Sequence, residues 1–310
     1  MRYMKKYTSL TLLTLLVMLA GACSKDTPME SRAESANITV NIASRGQVDT
    51  GNEEVKEHEG IKTLRLIMVQ EGKVVINSLH SYTDDKLNKS IHILGVNSTP
   101  LTDFYVVINE AGVEKDFQIA VGKTFEKTDF DQAALKAIDI QKNGLPMAGK
   151  LESQTLTDKH SYSIEVTRAV ARIDLNINNQ SGGNLTVNSI NFGAFFPDNG
   201  GLVNNPSDIA YSPKSFNSLN ESIDAGKAQT FTYYLFASDA PDNAYTVGMT
   251  GSTSYEEKPI IDNSTNVQLT SIPRNTVLKI NATVASSAYD CRLLCAILPW
   301  GTVALKTGFQ

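Results

Sequence analysis

Short stretches in which apolar and polar residues alternate recur along most of this chain. Ile38, Val40 and Ile42 alternate with smaller or polar neighbours, and segment 170–177 repeats the pattern as VARIDLNI. A β-strand turns successive side chains to opposite faces, so this alternation predicts strands that bury one face. The chain is therefore predicted to be mostly β-structure.

One helix is predicted among many strands. It covers about 128–142, because Thr128 or Asp129 can cap it and Gly144 can end it. Many short strands separated by turn residues predict two tandem β-sandwich domains rather than a parallel α/β sheet, with a boundary near 155–162. The further strand-like segments are 61–69, 73–79, 103–109, 162–167, 185–192, 229–236, 245–249, 266–270, 276–284 and 291–298.

The beginning of the chain has the pattern of an exported lipoprotein. A basic start, an apolar run over 10–20 and small residues at 20–22 predict a secretory signal peptide over residues 1–22. The run is shorter than the roughly 20 residues that a transmembrane helix needs. Cys23 follows, in the place of the lipid-bearing cysteine. The usual leucine lies one place early, at Leu19, so cleavage that leaves Cys23 without lipid is the alternative.

The segment after Cys23 is polar and without periodicity. Residues 23–36 are therefore predicted to be a flexible tether between the lipid and the first strand. Ser24, Lys25 and Asp26, just after Cys23, resemble the short charged signal that some Gram-negative bacteria use to send lipoproteins to the cell surface.

Charge and motifs argue against several function classes. The net charge of −5 and the pI of about 5.5 disfavour nucleic acid and anionic membrane surfaces as partners. The sequence lacks the motifs of serine hydrolases, zinc proteases and phosphate-binding loops, so it predicts no enzyme, metal or cofactor. Phe231 and Tyr233 could suggest a carbohydrate platform with Tyr234. Alternation places Tyr234 and Phe236 on the opposite face, and core packing explains most of these rings.

The two cysteines after Cys23 lie in one strand-like segment. Cys291 and Cys295 are four residues apart, which in a strand separates them by about 13 Å, beyond the ~7 Å limit for a disulfide. The same spacing places both on one face. They are predicted to be buried thiols that pack as small apolar residues.

A candidate processing site follows the first strand. Arg45 and Gly46 begin a long polar stretch that runs to Gly60. An exposed arginine in a flexible loop is a good site for proteolysis. A cut after Arg45 would release the lipid, the tether and the strand over 37–45 together.

The chain ends in a second alternating segment, 302–309. Val303, Leu305 and Phe309 face one way in a strand. Such a strand from another copy could fill the groove left by a detached first strand, through main-chain hydrogen bonds and alternate side chains. In the alternative, the last strand completes the sheet of its own domain.

Several short segments, taken in order, resemble one family. The chain is similar to the fimbrillins, the type V pilins of Bacteroidales, and in particular to their major fimbrial subunit. The matching pieces are Cys23, the strand over 38–42 with 44–46 (SRG), 61–69, 105–109 (YVVIN), 145–149 (LPMAG), 167–173 (TRAVARI), 273–276 (PRNT) and 299–300 (PW).

The resemblance implies a life cycle and a fold. It implies a lipoprotein anchored through Cys23, an arginine-specific protease that cuts between Arg45 and Gly46, and displacement of Ile38, Val40 and Ile42. It further implies that segment 302–309 of a neighbouring subunit fills the groove, building a surface fimbrium for adhesion and biofilm formation. The domains implied are transthyretin-like β-sandwiches over 37–158 and 159–310.

The resemblance also implies partners and leaves other roles open. The partners are copies of this chain or related fimbrial subunits, outer-membrane lipid, the processing protease, and host or bacterial surface receptors. A lipid-retaining anchor subunit and a minor or tip subunit are alternatives within the family. A surface glycan-binding lipoprotein is the alternative from another class.

Overall fold

A computed structural model describes residues 34–44, 59–84, 86–136, 143–206, 208–252, 254–285 and 292–300. Almost every regular element within these ranges is a β-strand, and the sequence-based prediction of a mostly β fold is confirmed. Among these residues, no helix is both long and apolar enough to cross a membrane.

The first half of the chain forms a seven-stranded sheet in the order β3-β2-β5-β7-β8-β1-β4. Strands β7 and β8 pair only at Met147↔Arg168 and Ala148↔Thr167, so the sheet opens there into two arms. Both arms contribute to one hydrophobic core, which is the arrangement of a β-sandwich. The strands of this half are β1 Ser35–Ser44, β2 Thr63–Gln70, β3 Lys73–Ser81, β4 Asn88–Asn97, β5 Thr102–Ile108, β6 Ala134–Leu135, β7 Met147–Gln154 and β8 Ser161–Arg168.

Burial within this half follows the residue pattern of each strand. The central strand β5 is a run of apolar residues from Phe104 to Ile108, all buried. Strand β8 alternates instead, with Tyr162, Ile164 and Val166 buried between exposed neighbours. A continuous apolar run fits a strand that is covered on both faces, and an alternating pattern fits a strand with one solvent-exposed face.

The second half packs two five-stranded sheets around a second core. One sheet has the order β12-β10-β16-β17 with β13 also on β10, and the other has the order β14-β9-β20-β21-β18. Strands β9 and β20 run parallel. The strands are β9 Val170–Asn179, β10 Leu185–Phe192, β11 Gly200–Gly201, β12 Lys214–Phe216, β13 Glu221–Ile223, β14 Ala228–Phe236, β15 Ser238–Asp239, β16 Thr246–Gly251, β17 Tyr255–Pro259, β18 Ile261–Asp262, β19 Ser271–Ile272, β20 Thr276–Val284 and β21 Arg292–Pro299.

The predicted helix is much shorter than its sequence pattern indicated. Helix α1 covers only Lys127–Asp131 and buries Phe130. The alanine-rich residues that follow enter strand β6, which pairs with β11 and places Leu135 in the first core. Tertiary pairing therefore overrides the helix propensity of alanine at this site. Residues 137–142, the end of the predicted helix, lie outside the described residues.

The chain passes from one core to the other almost without a break. Strand β8 ends at Arg168 in the first sheet, and β9 begins two residues later in the second half. Val170 belongs to the first core and Ala171 to the second.

The strand predicted over 266–270 is wrong, because the nearby pairing involves only β19 and β15 together with a single bridge at Gln268.

Candidate functional site

Strand β1 lies in a groove between two other strands of the first half. It runs antiparallel to β4 and parallel to β8, and it is hydrogen-bonded along both edges. Both neighbouring strands would lose main-chain partners along these edges if β1 left. Buried main-chain groups are almost always paired in native proteins, so an emptied groove would be a strong acceptor for another strand.

The inner face of β1 is apolar and almost fully buried. Ile38, Val40 and Ile42 are exposed by 3%, 0% and 0%, as their alternation predicts. The groove that receives them is lined on either side by buried residues of the two neighbouring strands. These lining residues are Ile91, Ile93 and Val96 of β4 and Tyr162, Ile164 and Val166 of β8. Burying each large apolar side chain contributes about 1.5–3 kcal/mol.

A polar clamp holds β1 near its beginning. The main-chain N–H and the side-chain amide of Asn37 both donate to Oδ1 of Asp158, at 2.8 and 3.1 Å. The Asn37 side-chain oxygen accepts from the N–H of Gly95 at 3.1 Å, and its carbonyl accepts from the N–H of Lys159 at 2.6 Å. A single residue therefore ties β1 to both of its neighbouring strands or their connections.

At the opposite end of β1, a buried polar group lacks a hydrogen-bond partner among the described residues. Ser44 is 2% exposed, and within the described part of the chain its hydroxyl has no hydrogen-bond partner. Opposite Ile42 lies Lys89, a buried lysine that pairs with Asp84 and lies 4.2 Å from the ring centre of Tyr82. The hydrogen bond from Lys89 lowers the pKa of the Asp84 carboxyl. This end of the strand directly precedes the predicted cleavage residue in the sequence.

The structure places some of the predicted site residues and leaves others undescribed. It brings Ile38, Val40 and Ile42 together on one buried face. Other predicted site residues lie outside the described residues, and their roles stay predictions: Cys23, Arg45, Gly46, Val303, Leu305 and Phe309. Of the two predicted core thiols, Cys295 is buried and unpaired, and Cys291 is likewise outside the described residues.

Sequence reasoning missed one wall of the groove. Strand β4 pairs with β1 along its whole length, yet its segment was not among the predicted strands. The available signal was the alternation of Ile91 and Ile93 with exposed His92 and Leu94. It is interrupted by Gly95, whose φ of +71° accompanies the irregular register between β4 and β1, and this break shortens the pattern.

A buried charge cluster lies where the two cores meet, and sequence reasoning also missed it. Arg172 pairs with Glu59 at 3.1 Å and with Asp174 at 3.0 Å, and Tyr234 donates to the same Glu59 oxygen at 2.9 Å. The Arg168 guanidinium lies 4.5 Å from the ring centre of Trp300. These charged and aromatic residues form what we call the junction cluster: Glu59, Arg168, Arg172, Asp174, Tyr234 and Trp300.

Burial perturbs the titration of the junction cluster. Arg168 is fully buried, and loss of hydration lowers its pKa to about 10. Burial, with the Glu59 charge second, raises the pKa of Tyr234. A sequence signal existed in Arg168 and Arg172, two arginines spaced by four within an otherwise apolar strand pattern. Charges in such positions are buried only when they are paired.

The aromatic residues of β14 are used for packing. Phe231 and Tyr233 face the second core, where the Tyr233 ring lies 3.9 Å from that of Phe216. Tyr234 faces the other way and stacks on Trp300 with ring centres 5.9 Å apart. The prediction that alternation divides these rings between opposite faces is confirmed.

Two β-sandwich cores in series, with the first strand set between two others, define the chain as a tandem β-sandwich protein. No protein-family model and no curated protein matches its sequence. Solved structures, in contrast, share its fold over most of their length.

Three of these structures are fimbrial proteins. The tip fimbrial protein Mfa3 from Porphyromonas gingivalis, with a C-terminal truncation, has a TM-score of 0.63 at 15% identity and covers 86% of this chain and 100% of its own. A fimbrial assembly protein from Parabacteroides distasonis ATCC 8503 has a TM-score of 0.55 at 10% identity, covering 86% and 99%. A fimbrilin from Porphyromonas gingivalis W83 has a TM-score of 0.54 at 12% identity, covering 88% and 99%. The resemblance to fimbrial proteins of Bacteroidales is thus confirmed at the level of the fold.

Proposed function

We propose that this protein is a structural subunit of a cell-surface fimbrium that is activated by proteolysis and assembles by exchange of strands. The single observation that carries the proposal is the position of β1. This strand is buried in a groove, and it stands at the beginning of the described chain directly before Arg45. It can therefore be detached by one cut without interrupting the rest of either core.

The packing of β1 supports its exchange for a similar strand. Its inner face presents Ile38, Val40 and Ile42 at every second position. Segment 302–309 offers Val303, Leu305 and Phe309, which are separated by two and by four positions and so fall on one face of a strand. Because main-chain hydrogen bonds do not depend on side chains, a strand with this alternation can replace β1 and fill its pockets.

The energies are large enough for a durable joint. Three large apolar side chains contribute about 1.5–3 kcal/mol each when buried, in addition to the hydrogen bonds along both edges of the strand. The same energies hold β1 in place before cleavage. Processing therefore serves to convert an intramolecular strand into one that a neighbour can displace.

The remaining features of the proposal come from the sequence and the family resemblance. The precursor is exported with its signal peptide over 1–22 and anchored by lipid on Cys23 at the outer membrane. An arginine-specific protease cuts after Arg45, and the assembled fibre supports adhesion and biofilm formation. The protein acts as a building block and not as an enzyme.

The experiment treats purified precursor, lacking residues 1–23, with an arginine-specific protease. Intact mass and unboiled gels then report the cut and the assembly. We expect cleavage after Arg45 followed by heat-labile ladders. Arg45→Lys is the matched control, because it keeps the charge and removes the arginine that the protease requires. Deletion of 302–310 should allow cleavage and abolish the ladders.

Other outcomes point to the alternative roles. A chain that resists cleavage with β1 in place fits a lipid-retaining anchor subunit. A chain that is cut and stays monomeric contradicts strand exchange and leaves a tip subunit or a glycan-binding lipoprotein.

A further inference from the structure

Trp300 is the last described residue before segment 301–310. It directly follows strand β21, whose residues pack in the second core, but Trp300 itself packs in the first core. Strand β21 belongs to the second half, yet Trp300 is 2% exposed within the first core. Its N–H donates to the carbonyl of Asn275 at 3.4 Å, and its ring stacks on Tyr234. The chain is therefore fixed at a single large side chain directly before its final segment.

Two arginines hold the Trp300 ring. The Arg168 and Arg172 guanidinium groups lie 4.5 and 5.5 Å from the ring centre. Arg168 is fixed in turn by Asn275, whose side-chain oxygen accepts from Nη1 at 3.0 Å. A cation over an indole ring is most favourable when water is excluded, as it is here.

The carboxylate that balances these arginines comes from a distant part of the chain. Glu59 is 1% exposed and contacts both Arg172 and Tyr234. Glu59 follows the stretch that begins at Arg45, and it precedes β2. A cut after Arg45 leaves Glu59 joined to β2, so the cluster keeps its carboxylate when β1 is removed.

We infer that the junction cluster is a positioning device that fixes the chain at Trp300, the residue from which segment 301–310 continues, both before and after cleavage. The inference rests on the proposed function, because it assigns the cluster a role in offering the donor strand. Trp300 and Glu59 are positioning residues, because they belong to the cluster at the base of the segment and not to the two strands that line the groove. A donor segment with a fixed base loses less conformational freedom on capture than one with a mobile base.

Separate donor and acceptor forms of the chain test this role. The donor carries Arg45→Lys, so its own groove stays filled by β1. The acceptor is cut after Arg45 and lacks 302–310, so it can only receive a strand. Capture is measured as heterodimer on unboiled gels and by size-exclusion chromatography. If the donor and acceptor do not combine even without a change in the junction cluster, the proposed function itself is contradicted. That outcome is distinct from the ones below.

We expect a change at Trp300 to slow heterodimer formation when it is in the donor and not when it is in the acceptor. Trp300→Leu in the donor should lower the rate of heterodimer formation by about tenfold, through the added cost of ordering the freed segment. The same change in the acceptor should leave the rate unchanged. Trp300→Phe in the donor should restore capture, because it keeps an aromatic face on Arg168. Equal loss on both sides would show a merely structural role and overturn the inference.

Glu59→Gln provides a second variant with a matched control. In the donor it should also slow capture, because it leaves Arg168 and Arg172 facing fewer negative charges. Glu110→Gln removes the carboxylate from Arg65, another buried arginine of the first half, at a site away from Trp300. We expect Glu110→Gln donors to be captured at the normal rate. A rate equally reduced in both variants contradicts the inference.

Fluorescence supplies a further test that needs no substitution in the junction cluster of the donor. Trp300 is the only tryptophan in the chain, so its fluorescence reports on the cluster directly. With Trp300→Phe in the acceptor, only the donor emits. We expect the emission maximum and the resistance to acrylamide quenching to stay constant when the unsubstituted chain is cleaved, and again when the Arg45→Lys donor is captured. If the emission shifts at either step to that of an exposed tryptophan, Trp300 has left the cluster, and the inference that it fixes the base of the segment is overturned.

Discussion

Glu59 and Arg172 are 113 positions apart and form a buried ion pair, with Oε1 and Nη1 separated by 3.1 Å. Their side chains are exposed by only 1% and 3%. The pair joins the chain that enters β2 to the strand that opens the second half. It therefore ties the two cores together through a contact that neither half could make alone.

Glu59→Gln is expected to destabilise the protein strongly. Removing one partner of a buried ion pair leaves the other charge uncompensated and costs about 3–5 kcal/mol. Urea unfolding at neutral pH measures the loss. The control is Glu114→Gln, which removes an exposed pair with Lys136 and should cost less than about 1 kcal/mol. Equal effects of the two changes would contradict the described burial of Glu59.

Ile42→Ala is expected to destabilise the precursor and to leave the cleaved, strand-exchanged form unaffected. The side chain is fully buried in the groove, and truncation of a buried isoleucine costs about 2–5 kcal/mol. After exchange, residue 42 is no longer part of the fold. Urea unfolding of both forms checks this expectation. Asn41→Ala, on the outer face, should cost about 1 kcal/mol through its hydrogen bond with Ser90.

The Cys295 thiol is expected to be unreactive in the folded protein. Burial, with the charge of Asp262 second, raises its pKa from 9.0 to about 11, so the reactive thiolate is scarce at pH 8. Alkylation followed by mass spectrometry, in a Cys291→Ser chain lacking residues 1–23, should show labelling only after unfolding. Rapid labelling of the native chain at pH 8 would contradict this prediction.

The same shift predicts a dependence of stability on pH. The folded state favours the protonated thiol, so its contribution is fully present below pH 9 and is lost as pH rises toward 11. Cys295→Ala should remove this part of the loss. Urea unfolding of both proteins between pH 8 and 11 measures the difference.

Gly149→Ala is expected to disturb the place where the two arms of the first sheet part. A Cβ at this position would lie 2.2 Å from the carbonyl oxygen of Glu165 on β8, which in turn pairs with Ala43 of β1. Such overpacking costs about 1–3 kcal/mol. Gly183→Ala is the control, because its Cβ would meet no atom within 4 Å and should change stability by less than about 0.5 kcal/mol. Melting temperatures of the two variants check the difference.

The local residue pattern correctly predicted the strand that carries the candidate site, but it predicted a helix that is too long. Ile38, Val40 and Ile42 lie on the buried face because alternation along a strand is a property of the backbone itself. The segment after Asp131 has the composition of a helix and forms part of a strand instead. Its pairing with Gly200–Gly201 is a contact with a distant segment that local propensity cannot register.

The sequence by itself determined the β class, the inward face of β1 and the presence of an arginine directly after it. Each of these depends on neighbouring residues, whose relative directions are set by the backbone. Only the tertiary structure decided that β1 lies between β4 and β8, and that Glu59, Arg172 and Trp300 meet in one water-excluded cluster. Those contacts join residues far apart in the chain, and their energy comes from burial and charge pairing that exist only once both cores have formed.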